Sequence, residues 1–208
     1  MTGPGQAPTN AAVLELKDEQ VVVKEAYIFL DEKRLLLASE LLRQLRLYQQ
    51  LNRELDALHA KVKDALQAAV MHHGLNGLQV YPAASMEGAE LKQTTRNFMG
   101  VTLIESILHT EDITDIKTTP SNPSAKAHHC IALFHEVVVK SACLAGISGN
   151  LYRLLAEYRI TERRSRALEN VILPEIEQAL REMSTHLEEL DFEDAVRVHL
   201  QSGFTDTL

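Results

Sequence analysis

The residues best suited to chemistry in this chain are its nine histidines and two cysteines. His72-His73 stand near the end of one long helix-forming stretch, and His128-His129-Cys130 with His135 open another. Imidazole and thiolate groups gathered in this way are the usual ligands of zinc, which needs three or four of them converging tetrahedrally. Adjacent residues on a helix point about 100° apart, and neither C-x-x-C nor H-x-x-x-H occurs, so no metal site is expected. A G-x-x-x-x-G-K-[ST] phosphate loop, a G-x-S-x-G nucleophile elbow and an H-E-x-x-H helix are all absent from the sequence. No catalytic residue, cofactor or metal is therefore assigned. Cys130 and Cys143 cannot make a disulfide framework; they read as small, partly buried hydrophobes in a reducing compartment.

The elements that must carry these residues follow from where glycine and proline fall. From Thr9 to His73, 65 residues contain neither, and Leu, Ala, Glu, Gln, Lys and Arg fill the interval. With Tyr27 at heptad position a, the a positions are Tyr27, Arg34, Leu41, Tyr48, Leu55, Val62 and Ala69, and the d positions are Leu30, Leu37, Gln44, Leu51, Leu58 and Ala65. Eleven of these thirteen are apolar or tyrosine. A 3.5-residue repeat sustained over six heptads predicts a coiled-coil helix, about 90 Å long at 1.5 Å per residue. Such a molecule is elongated.

Seven of the fifteen Gly and Pro residues fall between Gly74 and Ser124, which marks that stretch as a separate insert. Leu78-Gln79-Val80-Tyr81, Phe98 to Ile104 and Ile113 to Ile116 are its β-prone pieces, and a short hairpin around Phe98, Gly100 and Val101 is expected, with Gly100 at a turn or bulge. Ser124 offers an N-cap for a second helical run, 125–200, with a seam through Leu151, Leu154, Tyr158, Leu168, Ile172, Ile176, Leu180, Met183 and Leu187. Pro174 removes an amide and crowds the carbonyl of Asn170, which predicts a bend or register shift within that run. The expected layout is mainly α: a flexible 1–10, a coiled-coil helix over 11–73, the insert over 74–124, a second coiled-coil helix over 125–200 and a flexible tail over 201–208. Two such helices would fold back as a long antiparallel pair.

Composition excludes several classes. The formal charge of −8 argues against a phosphate-neutralising nucleic-acid binder. Scarce glycine, proline and aromatics argue against an all-β fold. No run approaches the 18 to 20 apolar residues expected of a membrane span, and Met1 to Pro8 lacks the features of a signal peptide, so a soluble cytoplasmic chain without membrane insertion is expected.

The stretch Thr161-Glu162-Arg163-Arg164-Ser165-Arg166-Ala167-Leu168-Glu169-Asn170-Val171-Ile172-Leu173-Pro174-Glu175-Ile176 resembles the C-terminal signature of the D-subunit family of V-type and A-type ATPases, "N-A-L-E-x-V-x-I-P-x-I". Leu187 to Asp194 is similar to that family's acidic "L-E-E-x-E-R-E", though Ala195 to Leu200 stand where a basic tail is usual. Pro8-Thr9 with Leu14 to Lys17 resembles "P-T-x-x-x-L-x-x-L-K". Phe29 to Leu37 resembles "L-L-K-x-K-R-D-x-L", with Asp31 and Leu35 departing from it. Arg96 to Leu103 resembles "N-x-x-G-V-x-x-P" without its proline. The matches follow in order along essentially the whole chain.

The resemblance implies a rotor: a non-catalytic central shaft standing in the ring of catalytic and nucleotide-binding head subunits, holding the F-subunit of the stalk and docking on the membrane-ring subunit, peripheral to the membrane. It implies that the collar Glu162, Arg163, Arg164 and Arg166 meets the head, that Pro174 sets an asymmetry, and that the central hairpin influences ATP hydrolysis. On the residues alone, the collar reads first as a solvated helix face, and the resemblance raises a contact with the head to an equal reading. A structural coiled-coil adaptor or tether is the alternative reading of the whole, and a helical-bundle enzyme would need a Glu-x-x-His motif that the chain lacks.

Overall fold

The computed structural model describes residues 9–79, 81, 89–110 and 123–205. Helix α1 covers Asn10–Gln79. Thr9 starts it, its Oγ1 accepting the Ala12 amide at 3.2 Å, which satisfies one of the donors that a helix N-terminus leaves without a partner. At Gly74 the backbone takes φ 72 and ψ 164, so two helical segments abut across a kink. The left-handed φ is open to glycine at little cost. Helical turns then resume, so Leu78 and Gln79 are helical where the sequence suggests a strand. Val80 and the β-prone piece 113–116 lie outside the described residues.

The strands are β1, Glu90–Phe98, and β2, Val101–His109, paired antiparallel from Glu90 opposite His109 to Phe98 opposite Val101. Met99 and Gly100 both have positive φ, 50 and 85, as a two-residue type I′ turn requires. The β-prone run from Phe98 to Ile104 is thus split: Phe98 ends one strand and Val101 begins the next. β1 carries no apolar alternation because all its residues but Phe98 are exposed.

Helix α2, Ala125–Ala167, starts at Ser124, whose Oγ accepts the Ala127 amide at 3.2 Å. It leads into a π-turn, Leu168–Ile172, and then into α3, Leu173–Thr205. The helical run therefore extends past Leu200.

The chain divides into two compact units, Met1–Leu35 with Arg159–Leu208, and Leu36–Tyr158. In the first, Gln20 Nε2 donates to Glu177 Oε1 at 3.3 Å, and the Tyr27 hydroxyl faces Glu169. In the second, Lys140 Nζ meets Glu54 Oε2 at 3.2 Å, and His73 Nε2 meets Ser124 Oγ at 2.6 Å. In each unit a rising number on one helix pairs with a falling number on the other, which is antiparallel packing.

The core of the second unit is Leu37, Val101, Leu103 and Leu154, with Leu41, Phe98 and Tyr158 against it. Each fully buried aliphatic side chain contributes about 1.5–3 kcal/mol, so the hairpin tip is held chiefly by Val101 and Leu103. Along β2 the buried positions change face, from 101 and 103 to 106. The register is unbroken, so the ribbon's twist brings first one face and then the other onto the helices.

Within 125–199 an 18-residue window reaches a mean hydropathy of 1.7 with no more than two charged residues, and 6% of it is buried in this chain. Length and composition alone thus give this stretch the profile of a spanning helix, a profile that apolar helices of soluble proteins share. Counting uninterrupted apolar residues misses it because Glu136 and Lys140 punctuate the stretch around Cys130–Ile147; they pair with each other at 3.7 Å.

Candidate partner interface

The proposed seam residues can be placed one by one. Leu37, Leu58, Val62, Leu154 and Ile176 are buried. Leu30, Leu41, Tyr48, Leu51, Leu55, Leu151, Tyr158, Leu168, Leu180, Met183 and Leu187 are half-buried. Ile172 departs from this pattern and is 36% exposed. It sits in the π-turn, where one surplus residue relative to the α lattice rotates the chain and turns Val171 and Ile172 outward. The seam also contains Thr161 and Ser165, each 1% exposed. Hydropathy patterning misses these two because they are polar; their heptad spacing between Tyr158 and Leu168 was the available signal.

The π-turn follows from Pro174. The Leu173 amide reaches back to the Leu168 carbonyl, an i to i−5 bond. Pro174 has no N–H to give to Asn170 in the α pattern or to Glu169 in the π pattern. Widening the helix just before the proline moves the crowded carbonyl away from its ring, so the chain shifts register without ending. Tyr27 faces this turn from α1, and the Glu169 carboxylate raises its ionisation above the ordinary tyrosine range, with burial and Asp31 adding to the effect.

The collar lies immediately before the π-turn. Arg163, Arg164 and Arg166 are exposed, Glu162 is half-buried, and Pro174 is exposed. Arg166 Nη2 pairs with Glu162 Oε1 at 2.7 Å and Arg163 Nε donates to the Arg159 carbonyl at 3.3 Å. Three guanidinium groups thus project from one stretch of helix with one internal carboxylate among them.

The hairpin is fixed to the helices by groups that sequence patterning does not single out. Asn150, 2% exposed, receives the Ile104 amide on Oδ1 and donates from Nδ2 to the Ile104 carbonyl, both at 2.8 Å. It thereby replaces a neighbouring strand at the edge of β2. Ser106 Oγ donates to the Ala142 carbonyl at 2.8 Å, and Cys143 Sγ to the Ser106 carbonyl at 3.3 Å. Gly146 allows this approach, since a Cβ there would meet Ser106 Oγ at 2.3 Å.

On the other side, Glu40 Oε1 accepts from Arg43 Nη2 at 2.6 Å, Gln44 Nε2 at 3.0 Å and Arg96 Nη2 of β1 at 2.9 Å. The Arg43 hydrogen bonds, first among several causes, hold the Glu40 carboxyl below the usual carboxylate range. Phe98 packs on the core, Val101 is buried, and Gly100 is exposed in the turn.

The histidines spread over several contacts. His73 meets Ser124, Tyr81 OH meets His128 Nε2 at 3.3 Å, and Thr110 Oγ1 meets His135 Nε2. Among the described residues no group of three His, Cys, Asp or Glu side chains is arranged to hold a metal. Burial pushes the Cys130 thiol up, away from the thiolate that reactivity requires.

A family model that describes the D-subunit of ATP synthase matches residues 12–201. The chain belongs to the ATP synthase D-subunit family. Among curated relatives, the V-type ATP synthase D-subunit of Anaeromyxobacter dehalogenans is 30% identical over 200 residues, covering 92% of this chain and 93% of that one. The corresponding V-type protein of Thermotoga neapolitana is 26% identical over 192 residues, 92% and 94% of the two chains. The A-type ATP synthase D-subunit of Thermococcus kodakarensis is 27% identical over 197 residues, 92% and 90%. The span matched by the D-subunit family contains the hairpin, the collar, the π-turn and most of both helical runs.

Proposed function

We propose that this chain is the central-stalk rotor of a V/A-type ATPase, carrying torque between ATP synthesis or hydrolysis in the head and ion translocation in the membrane ring. The observation that carries the reading is the family match over 12–201, joined to an antiparallel pair of helices with a docked hairpin. The chain does no bond chemistry of its own in this reading. Its partners are the catalytic and nucleotide-binding head subunits, the F-subunit of the stalk and the docking subunit of the membrane ring. It works on the cytoplasmic side, peripheral to the bilayer.

The physical properties suit the role. Backbone hydrogen-bond ladders running along a packed seam resist twisting. Tyr152 and Phe192, 73% and 71% exposed, and the sparsely buried apolar stretch of α2 provide surface for protein partners. The collar Glu162, Arg163, Arg164 and Arg166, with Pro174 beside it, is the proposed contact with the head, and the hairpin bearing Phe98, Gly100 and Val101 the proposed element that influences hydrolysis.

Co-expression with the head subunits and the F-subunit of the same genome, followed by size exclusion and an ATPase assay, tests this. One copy per head and turnover that depends on the chain are expected. A self-sufficient dimer that ignores those proteins contradicts the reading and favours an adaptor.

A further inference from the structure

The π-turn Leu168–Ile172 contains no buried residue, while the turns on either side are pinned by Ser165, 1% exposed, and Ile176, 7% exposed. A π-turn holds one residue more than the α lattice accommodates, and that surplus can sit at more than one place along a helix. Here Pro174 leaves neighbouring carbonyls without an amide whichever pattern is adopted. Moving the surplus therefore breaks few hydrogen bonds and uncovers little apolar surface. The facing contact is polar: the Tyr27 hydroxyl meets the Glu169 carboxylate, and the Asn170 side-chain oxygen could accept the same proton.

We propose that Leu168–Ile172 is a slip joint, at which the surplus residue passes between adjacent positions and changes the azimuth of the residues it passes while the turns on either side stay packed. The pinned positions at 165 and 176 confine the motion to the intervening turns. The slip belongs to the chain itself. Its use in the stalk, letting the exposed face at Val171 and Ile172 be re-aimed toward a partner while the seam on either side stays packed, rests on the rotor reading.

Cross-linking the full chain, with Cys130→Ala and Cys143→Ala, tests the slip whether or not the chain joins an ATPase. Tyr27→Cys is combined with Glu169→Cys or Asn170→Cys, and Gln20→Cys with Glu177→Cys or Gln178→Cys, and each pair is treated with a short bis-methanethiosulfonate, which links two thiols with loss of methanesulfinate at each. The two pairs at the π-turn should link with yields within about twofold of each other, while the pairs at residue 20, beside regular helix, differ by about tenfold. Equal selectivity at both sites overturns the proposal. Hydrogen exchange gives a second reading without engineered cysteines. Pro174→Ala restores an amide and should slow exchange over 169–175 by about tenfold or more. Unchanged exchange there also overturns it.

Discussion

Gly146 and Ser106 form a close joint between hairpin and helix, and their chemistry predicts a specific non-additivity. Gly146→Ala forces a methyl against Ser106 Oγ and should cost about 1–3 kcal/mol. Ser106→Ala alone loses one hydrogen bond, about 1 kcal/mol. The double variant should be more stable than the sum of the two predicts, because the oxygen responsible for the clash is gone; thermal or urea unfolding of the four proteins measures this. Asn150→Ala, which leaves the Ile104 amide and carbonyl without partners, should cost about 2 kcal/mol or more. Met99, a non-glycine residue at φ 50 with 39% exposure, works the other way. Met99→Asn should stabilise by about 0.5–1 kcal/mol, since asparagine tolerates that conformation. Glu40 supplies a pH signature. Its carboxyl is depressed in the folded chain, so its contribution is complete above the unfolded carboxylate value near 4.3 and fades as pH falls through the lower folded value. Between about pH 5 and 2, Glu40→Gln should therefore lose less stability than the parent chain.

At the scale of elements, legibility depended on what kind of force makes each element. The two helical runs were readable because both seam burial and helix propensity leave a sequence period. The register shift near Pro174 was readable because a missing amide has few outcomes, yet its form as a π-turn, and the outward turn of Ile172, depended on where the surplus residue could settle. β1 was not readable. Its residues Glu90 to Asn97 are polar and exposed, and β pairing with β2 through the main chain leaves no hydrophobic alternation. The anchors Asn150, Ser106 and Glu40 were hidden for a related reason: each is a polar residue whose value lies in a partner distant in sequence. Ser124 was legible as a cap because its partner is three residues away. The hairpin also yields an element-scale expectation. Arg96→Ala removes the bond from β1 to Glu40 and leaves β2 anchored by Asn150. Exchange protection should fall in β1 amides more than in α1 or α2, as read by mass spectrometry.

For the whole molecule, the D-subunit family match and the antiparallel helices support the proposed rotor role, and the charged collar is its proposed point of contact with the head. Charge reversal of Arg163, Arg164 and Arg166 to Glu should cost the isolated chain no more than about 1–2 kcal/mol, most of it from turning the Arg166–Glu162 pair into a like-charge one, because these side chains are exposed. In the assembled complex the same change should weaken coupling between hydrolysis and ion movement. The most direct measurement fixes the head of the purified complex to a surface, attaches a bead to a cysteine introduced at exposed Lys92 of β1 in a chain with Cys130→Ala and Cys143→Ala, and adds ATP. The account predicts sustained rotation in one direction at a rate that follows ATP concentration. A bead that stays still while the same complexes hydrolyse ATP would contradict it.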